Sequence, residues 1–136
     1  MNRNQRNGAI QAHEGRASIV FERRLPFPVA EVWRAITDPA ERALWFGPST
    51  IDRMAGGRVA MTGEGPPAPA DMRHITGNIL VWDPPHVFEH EWRQALIGDT
   101  VVRYELESDG NGTLLRFTHS GLKISDAKGY LPGQHA

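Results

Sequence analysis

The strongest constraint on the fold is a pair of adjacent prolines, Pro84 and Pro85, set inside the run RHITGNILVWDPPHVFEHEWR at residues 73–93. Proline supplies no backbone N–H and biases the residue before it, here Asp83, away from helix. Strand pairing must therefore stop at Asp83 and restart beyond Pro85. In the second run Phe88, His90 and Trp92 share one face, while Glu89, Glu91 and Arg93 share the other. A strand, a corner and a strand follow, with one face apolar and the other charged.

The chain has 136 residues, enough for one domain that buries roughly two thirds of its unfolded surface. Its 10 prolines and 14 glycines, without a collagen-like period, suit many short elements and turns. A formal charge of -1 with no basic block argues against nucleic acid as a partner. The absence of cysteine excludes disulfides, thiolate nucleophiles and thiolate metal sites. No stretch approaches the roughly 20 apolar residues of a membrane span, and the polar start lacks the apolar core of a signal peptide, so the cytoplasm is the default address.

Residues 1–16 read as a flexible lead-in and 17–136 as a single domain. Ile19, Phe21 and Leu25 alternate along a first strand that Pro26 and Pro28 end. The period then becomes helical, with Val29, Val32, Trp33 and Ile36 on one stripe. Asp38, Pro39 and Glu41 restart a second, short helix, which Gly47 and Pro48 close. A short strand is expected at 51–54, a tight turn at Gly56 and Gly57, and strands at 58–62 and 72–82. Gly77 reads as a bulge or a point of close approach.

Beyond the proline corner, two further strands are expected. Pairing Trp92 with Val102 puts His90 opposite Tyr104 and Glu91 opposite Arg103, at the cost of setting Glu89 against Glu105. The turn at 108–112 pairs Leu106 with Leu115 and Tyr104 with Phe117. The tail after Leu122 offers Ala127 and Leu131 but is interrupted by Gly129, Pro132 and Gly133. An apolar sheet face needs a cover, which implies either a partner or further chain beyond Ala136.

The segments FPVAEVWRAITDPAERALWFG (27–47), GGRVAM (56–61), ITGNILVWDPPHVFEHEW (75–92) and LLRFTHSGL (114–122) together resemble the START-like, or helix-grip (Bet v 1-like), superfamily. Within it they are most similar to bacterial proteins related to the C-terminal domain of the activator of the Hsp90 ATPase. The resemblance implies an α+β fold: a curved antiparallel sheet of six or seven strands, two short helices after the first strand, and a C-terminal helix enclosing a cavity. That last helix is expected to be truncated or incomplete here. The proline-rich loop at 65–70 lies where such proteins vary the cavity rim, and the resemblance carries over no shared catalytic residue.

Candidate ligand contacts are Trp45 and Phe46 at the end of the second helix, and Met61, Ile75, Phe88, His90, Trp92, Tyr104, Phe117 and His119 on the apolar face. His90, Tyr104 and His119 could hydrogen-bond a ligand, or they could satisfy one another in a closed core. No catalytic motif stands out. No cofactor is expected, since the glycines match neither a Walker nor a dinucleotide pattern. No metal site is expected either: His86 and His90 are separated by roughly 13 Å of extended chain.

The leading expectation is binding of a small hydrophobic or amphipathic molecule. A protein-interaction, co-chaperone-like module is the first alternative. The second is a cyclase- or aromatase-like enzyme, with His90 or His119 as acid–base groups. A homodimer through exposed sheet or tryptophan surface is compatible with all three.

Overall fold

The structure is a computed structural model that describes residues 8–13, 15–44, 48–62, 74–95 and 98–123. In chain order the elements are β1 (Gly8–His13), β2 (Arg16–Leu25), α1 (Val29–Thr37), α2 (Pro39–Arg42), β3 (Ser49–Ile51), β4 (Arg58–Thr62), β5 (His74–Asp83), β6 (Val87–Gln94), β7 (Gly98–Asp109) and β8 (Gly112–Leu122). The strands form one curved antiparallel sheet in the order β1-β2-β8-β7-β6-β5-β4-β3. The expected C-terminal helix, the loop at 65–70, Trp45 and Phe46 all fall outside the described residues.

The helical stripe does what its period implies. Val32 and Ile36 are buried against the sheet, with Val29 and Trp33 half-buried beside them. Asp38 ends α1 and opens α2, its side-chain oxygen accepting the Ala40 N–H at 2.8 Å. The proline corner is equally direct: Asp83 pairs with Val87, and the intervening turn is closed by the His86 N–H donating to the Asp83 carbonyl at 2.8 Å.

Four expectations are corrected. A described strand, β1, precedes Ala17: it pairs along β2, and Ile10 packs beside Ala17, Ile19 and Leu122. One apolar residue in a polar run carries no period, so its cross-strand partner is needed to see it. That strand and the short β3 bring the sheet to eight strands instead of six or seven. The β3 strand occupies Ser49–Ile51 rather than 51–54, since Asp52 is committed to a turn in which its carboxylate accepts the Arg58 N–H at 3.1 Å.

The fourth correction concerns register. Trp92 pairs with Thr100, His90 with Val102 and Phe88 with Tyr104, two residues from the expected pairing. Glu89 then lies opposite Arg103 at 2.7 Å, and the expected clash of Glu89 with Glu105 disappears. The β7–β8 hairpin, by contrast, has the expected pairs of Leu106 with Leu115 and Tyr104 with Phe117. Its turn places Gly110 at φ 61, where glycine carries no steric penalty.

Gly77 is a point of close approach. A Cβ at this position would lie 2.1 Å from the Glu91 carbonyl oxygen on the neighbouring strand. Backbone cannot yield as a flexible side chain would. Gly77→Ala should therefore cost about 3 kcal/mol or more in urea unfolding, in the upper range of single substitutions. A variant within 0.5 kcal/mol of the parent, roughly the spread of neutral surface changes, would show that β5 and β6 can separate there at no cost.

Candidate functional site

The site is built from the sheet face that α1 covers. Directly paired residues share a face, so the registers place Phe21, Phe117, Tyr104 and Phe88 in one row across β2, β8, β7 and β6. Ile19, His119, Val102, His90 and Ile79 form the adjacent row. Met61 and Ile75 pair with each other further along the same sheet. All of the candidate sheet residues are therefore gathered on one face.

Their rings are in continuous contact. Phe88 lies 5.0 Å from His90 and 5.9 Å from Tyr104 between centroids, the latter pair stacked. Tyr104 meets Phe117 at 5.3 Å, and Trp92 meets His119 at 5.2 Å. A cavity of about 450 Å³ opens on this face between the sheet and α1. Phe21, Leu25, Leu115, Phe117 and Tyr104 line its sheet side, with Arg23 at the edge, and Val32, Ala35 and Ile36 line its helix side. Of the sequence-based candidates, only Tyr104 and Phe117 line the cavity; Met61, Ile75, Phe88, His90 and His119 are buried on the same sheet face without lining it, and Trp92 is half-buried. A depression of similar volume on the opposite face mixes Val87, Leu106 and Leu114 with His86, Glu22, Glu105, Glu107 and Arg116, a more highly charged lining than that of the cavity.

Both histidines have defined protonation. The Thr100 hydroxyl donates its proton to the Trp92 carbonyl at 3.0 Å, so its contact of 2.7 Å with His119 Nε2 requires the imidazole to donate. His119 therefore carries its proton on Nε2. His90 Nδ1 lies 2.7 Å from the Glu91 carbonyl oxygen, which can only accept, so His90 carries its proton on Nδ1. Its Nε2 is buried and has no hydrogen-bond partner.

Burial sets the charge of both rings. Desolvation is the largest influence on His90, opposed by its bond to the Glu91 carbonyl and reinforced by the nearby Arg42 charge, and its pKa falls to about 4. His119 is lowered to about 4 by desolvation first and then by the proximity of His90. Near neutral pH the two rings are uncharged.

Two contributors escaped sequence reading. Arg42 is fully buried, donating to the Ile36 carbonyl at 2.8 Å, the Ser49 hydroxyl at 3.3 Å and the Met61 sulfur at 3.2 Å. An arginine at the end of a short helix ordinarily reads as solvated, and nothing local marked it otherwise. Thr100 reads from sequence as an ordinary strand residue, since only the observed β6–β7 register brings it to Trp92 and His119. Among the described residues no group of three His, Asp or Glu side chains is placed to hold a metal ion, and no helix is long and apolar enough to cross a membrane.

The lowered histidine values fix a pH response. An unfolded histidine takes up a proton near 6.5, whereas the folded one resists until about 4. Stability is therefore complete above 6.5 and is lost as pH falls between those values. Urea unfolding at pH 5 should show a loss on the order of 2 kcal/mol per histidine relative to pH 7.5. His90→Phe should remove about half of the histidine contribution; an unchanged slope would mean that His90 is already charged in the fold.

The family model described as Activator of Hsp90 ATPase homolog 1-like protein matches residues 26–131. Among solved structures, CalU16 from Micromonospora echinospora is 27% identical, with 91% of this chain and 78% of that one covered and a TM-score of 0.70. MLL2253 from Mesorhizobium loti is 23% identical, covering 83% of this chain and 82% of its own, also with a TM-score of 0.70. A protein described as an HSP90 activator from Plasmodium falciparum is 20% identical over 75% of this chain and 71% of that one, with a TM-score of 0.60. The last two likenesses show the fold alone. No curated protein matches the chain. With strands, helices and proline corner in the order described and the family match spanning most of its length, the chain belongs to the Activator of Hsp90 ATPase homolog 1-like family.

Proposed function

We propose that the protein binds a small hydrophobic or amphipathic molecule in the cavity between α1 and the sheet. The observation that carries this reading is the cavity itself: about 450 Å³, walled by Phe21, Leu25, Val32, Leu115, Phe117 and Tyr104, with Arg23 at its edge. That is the size and chemistry of a small-molecule site, apolar with few polar groups. An aromatic wall favours a planar or ring-containing ligand.

Binding without acid–base chemistry is the form that the histidines support. A general base works best with a pKa near the working pH, and His90 and His119 are both held near 4. At neutral pH such rings accept or donate hydrogen bonds but are weak proton acceptors. Cyclase-like chemistry would then depend on substrate shape rather than on these side chains.

The family description and the likeness to the Plasmodium falciparum protein favour a second reading, a chaperone-associated module. Leu44, 82% exposed two residues beyond α2, is an apolar side chain that such a contact could use. Stimulation of a purified Hsp90 ATPase that Leu44→Asp abolishes would support it, and no effect of the parent protein on that ATPase would count against it.

The cavity reading has its own test. Ala35 lies on the helical wall, so Ala35→Phe would fill the space at a helix-propensity cost of only about 0.5 kcal/mol. The neutral fluorophore N-phenyl-1-naphthylamine should bind the parent and lose about tenfold or more in affinity in the variant. Equal binding by both proteins would place the probe elsewhere and remove the support for this cavity.

A further inference from the structure

We infer that the ligand is an organic acid: a ring-bearing molecule whose carboxylate is held by the Arg23 guanidinium at the cavity edge while its apolar body lies over Phe21, Leu115 and Phe117. The inference rests on the cavity reading above and adds the charge and the orientation of the ligand.

The charge follows from where Arg23 stands. It pairs with Leu115 in the β2–β8 register, and directly paired residues share a face, so Arg23 belongs to the inner face although it is exposed. On the outer face Arg24, Arg93, Arg103 and Arg116 each meet a carboxylate. Arg23 meets none among the described residues, and it is the one charged side chain among those that line the cavity. Glu31 and Glu41 line a neighbouring groove together with Arg34 and take no part in this wall. A cation beside apolar surface, without a carboxylate of its own, favours an anion brought by the ligand and disfavours an ammonium. The planar fork of a guanidinium matches a carboxylate in particular, through two parallel N–H donors.

The orientation follows from the registers. Arg23 and Phe21 are neighbours on one face of β2, Phe21 pairs with Phe117, and Phe117 pairs with Tyr104. Tyr104 therefore lies two strands across and two residues along from Arg23, roughly 12 Å between α-carbons at ordinary sheet spacings. Phe21, Leu115 and Phe117 floor that interval, with the two phenylalanine rings 6.4 Å apart between centroids. Val32, Ala35 and Ile36 close it from the helix side. The span suits a body of one or two rings, with the acid at Arg23 and the far end toward Tyr104. A carboxylate turned the other way would be buried against Phe117 and Tyr104 without a cation, at a larger desolvation cost.

The test compares 2-naphthoate with 2-naphthamide, which share a planar ring system and differ in charge, on the full chain at pH 7.5 and low salt, where the acid is ionised. Naphthoate should bind about fivefold more tightly, and the margin should shrink as sodium chloride is raised, because the pair is exposed. Arg23→Gln should abolish the preference with the amide's affinity unchanged. Arg24→Gln, which removes the same charge from the outer face, should leave it in place. Ala35→Phe should weaken both probes. Equal affinities that both fall in Ala35→Phe, or a preference that survives Arg23→Gln, would overturn the acid inference and leave the cavity standing. Failure of both probes to bind, or binding indifferent to Ala35→Phe, would remove the cavity reading and this inference with it.

Discussion

The register between β6 and β7 is the constraint on which the rest depends, and charge on the outer face selects it. Alternation alone fixes which residues point inward, but a slip of two residues leaves every side chain on its own face. The outer-face glutamates break that degeneracy, because Arg103 would face a glutamate in either register, Glu89 here and Glu91 in the slipped one, whereas only the slipped one opposes two glutamates. Arg103 meets Glu89 on β6 at 2.7 Å and Glu105 on its own strand at 3.4 Å, and its hydrogen bond to Glu89 is the foremost cause of its raised pKa. Arg116 continues the pattern to Glu22 at 3.0 Å, so that the outer face is tied across β6, β7, β8 and β2. Each exposed pair contributes little to stability. Their effect is on the alternative: a slipped register would set Glu89 against Glu105, and like charges directly opposite one another are disfavoured.

That selection determines what the inner face contains. In the observed register Thr100 lies beside Trp92 and reaches His119, while His90 sits between Val102 and Ile79. Two residues away, His90 would face Tyr104 directly and Thr100 would lose the Trp92 carbonyl that orients its proton. The tautomer of His119 is thus set at one remove by the salt bridges on the opposite side of the sheet. Desolvation then keeps both rings neutral. The result is an apolar inner face on which His90 and His119 are neutral and hydrogen-bonded to the Glu91 carbonyl and the Thr100 hydroxyl.

Much of this was legible in the sequence, and what was not has identifiable causes. The proline corner, the helical stripe and the β7–β8 hairpin were readable because each depends on neighbours along the chain: missing N–H groups, a period, a turn glycine. The single apolar face was readable for the same reason, and the expected sheet residues do share it. The two-residue offset of β6 on β7 was not, since the apolar residues alternate alike in either register. Arg42 and Thr100 were hidden because their roles come from residues distant in sequence: Met61 and Ser49 for the one, Trp92 and His119 for the other. Gly77 showed itself as a constrained position, but only the approach of Glu91 explains why.

The sheet order also sets a timetable for folding. β2 lies between β1 and β8, and its pairing with β8 joins residues such as Glu22 and Arg116, 94 positions apart. On a ribosome the hairpins β3–β4 and β5–β6 can close as they emerge, but one flank of β2 must wait until residue 122 has been made. For that interval Ile19 and Phe21 stay beside an open strand edge, the arrangement that invites pairing with another chain. Contacts of such range also form slowly, because the intervening loop must be closed before they give any return. Arg23 and Arg24, both exposed on that strand, place positive charge along the waiting edge, and repulsion between nascent copies is the protection available to it before β8 arrives.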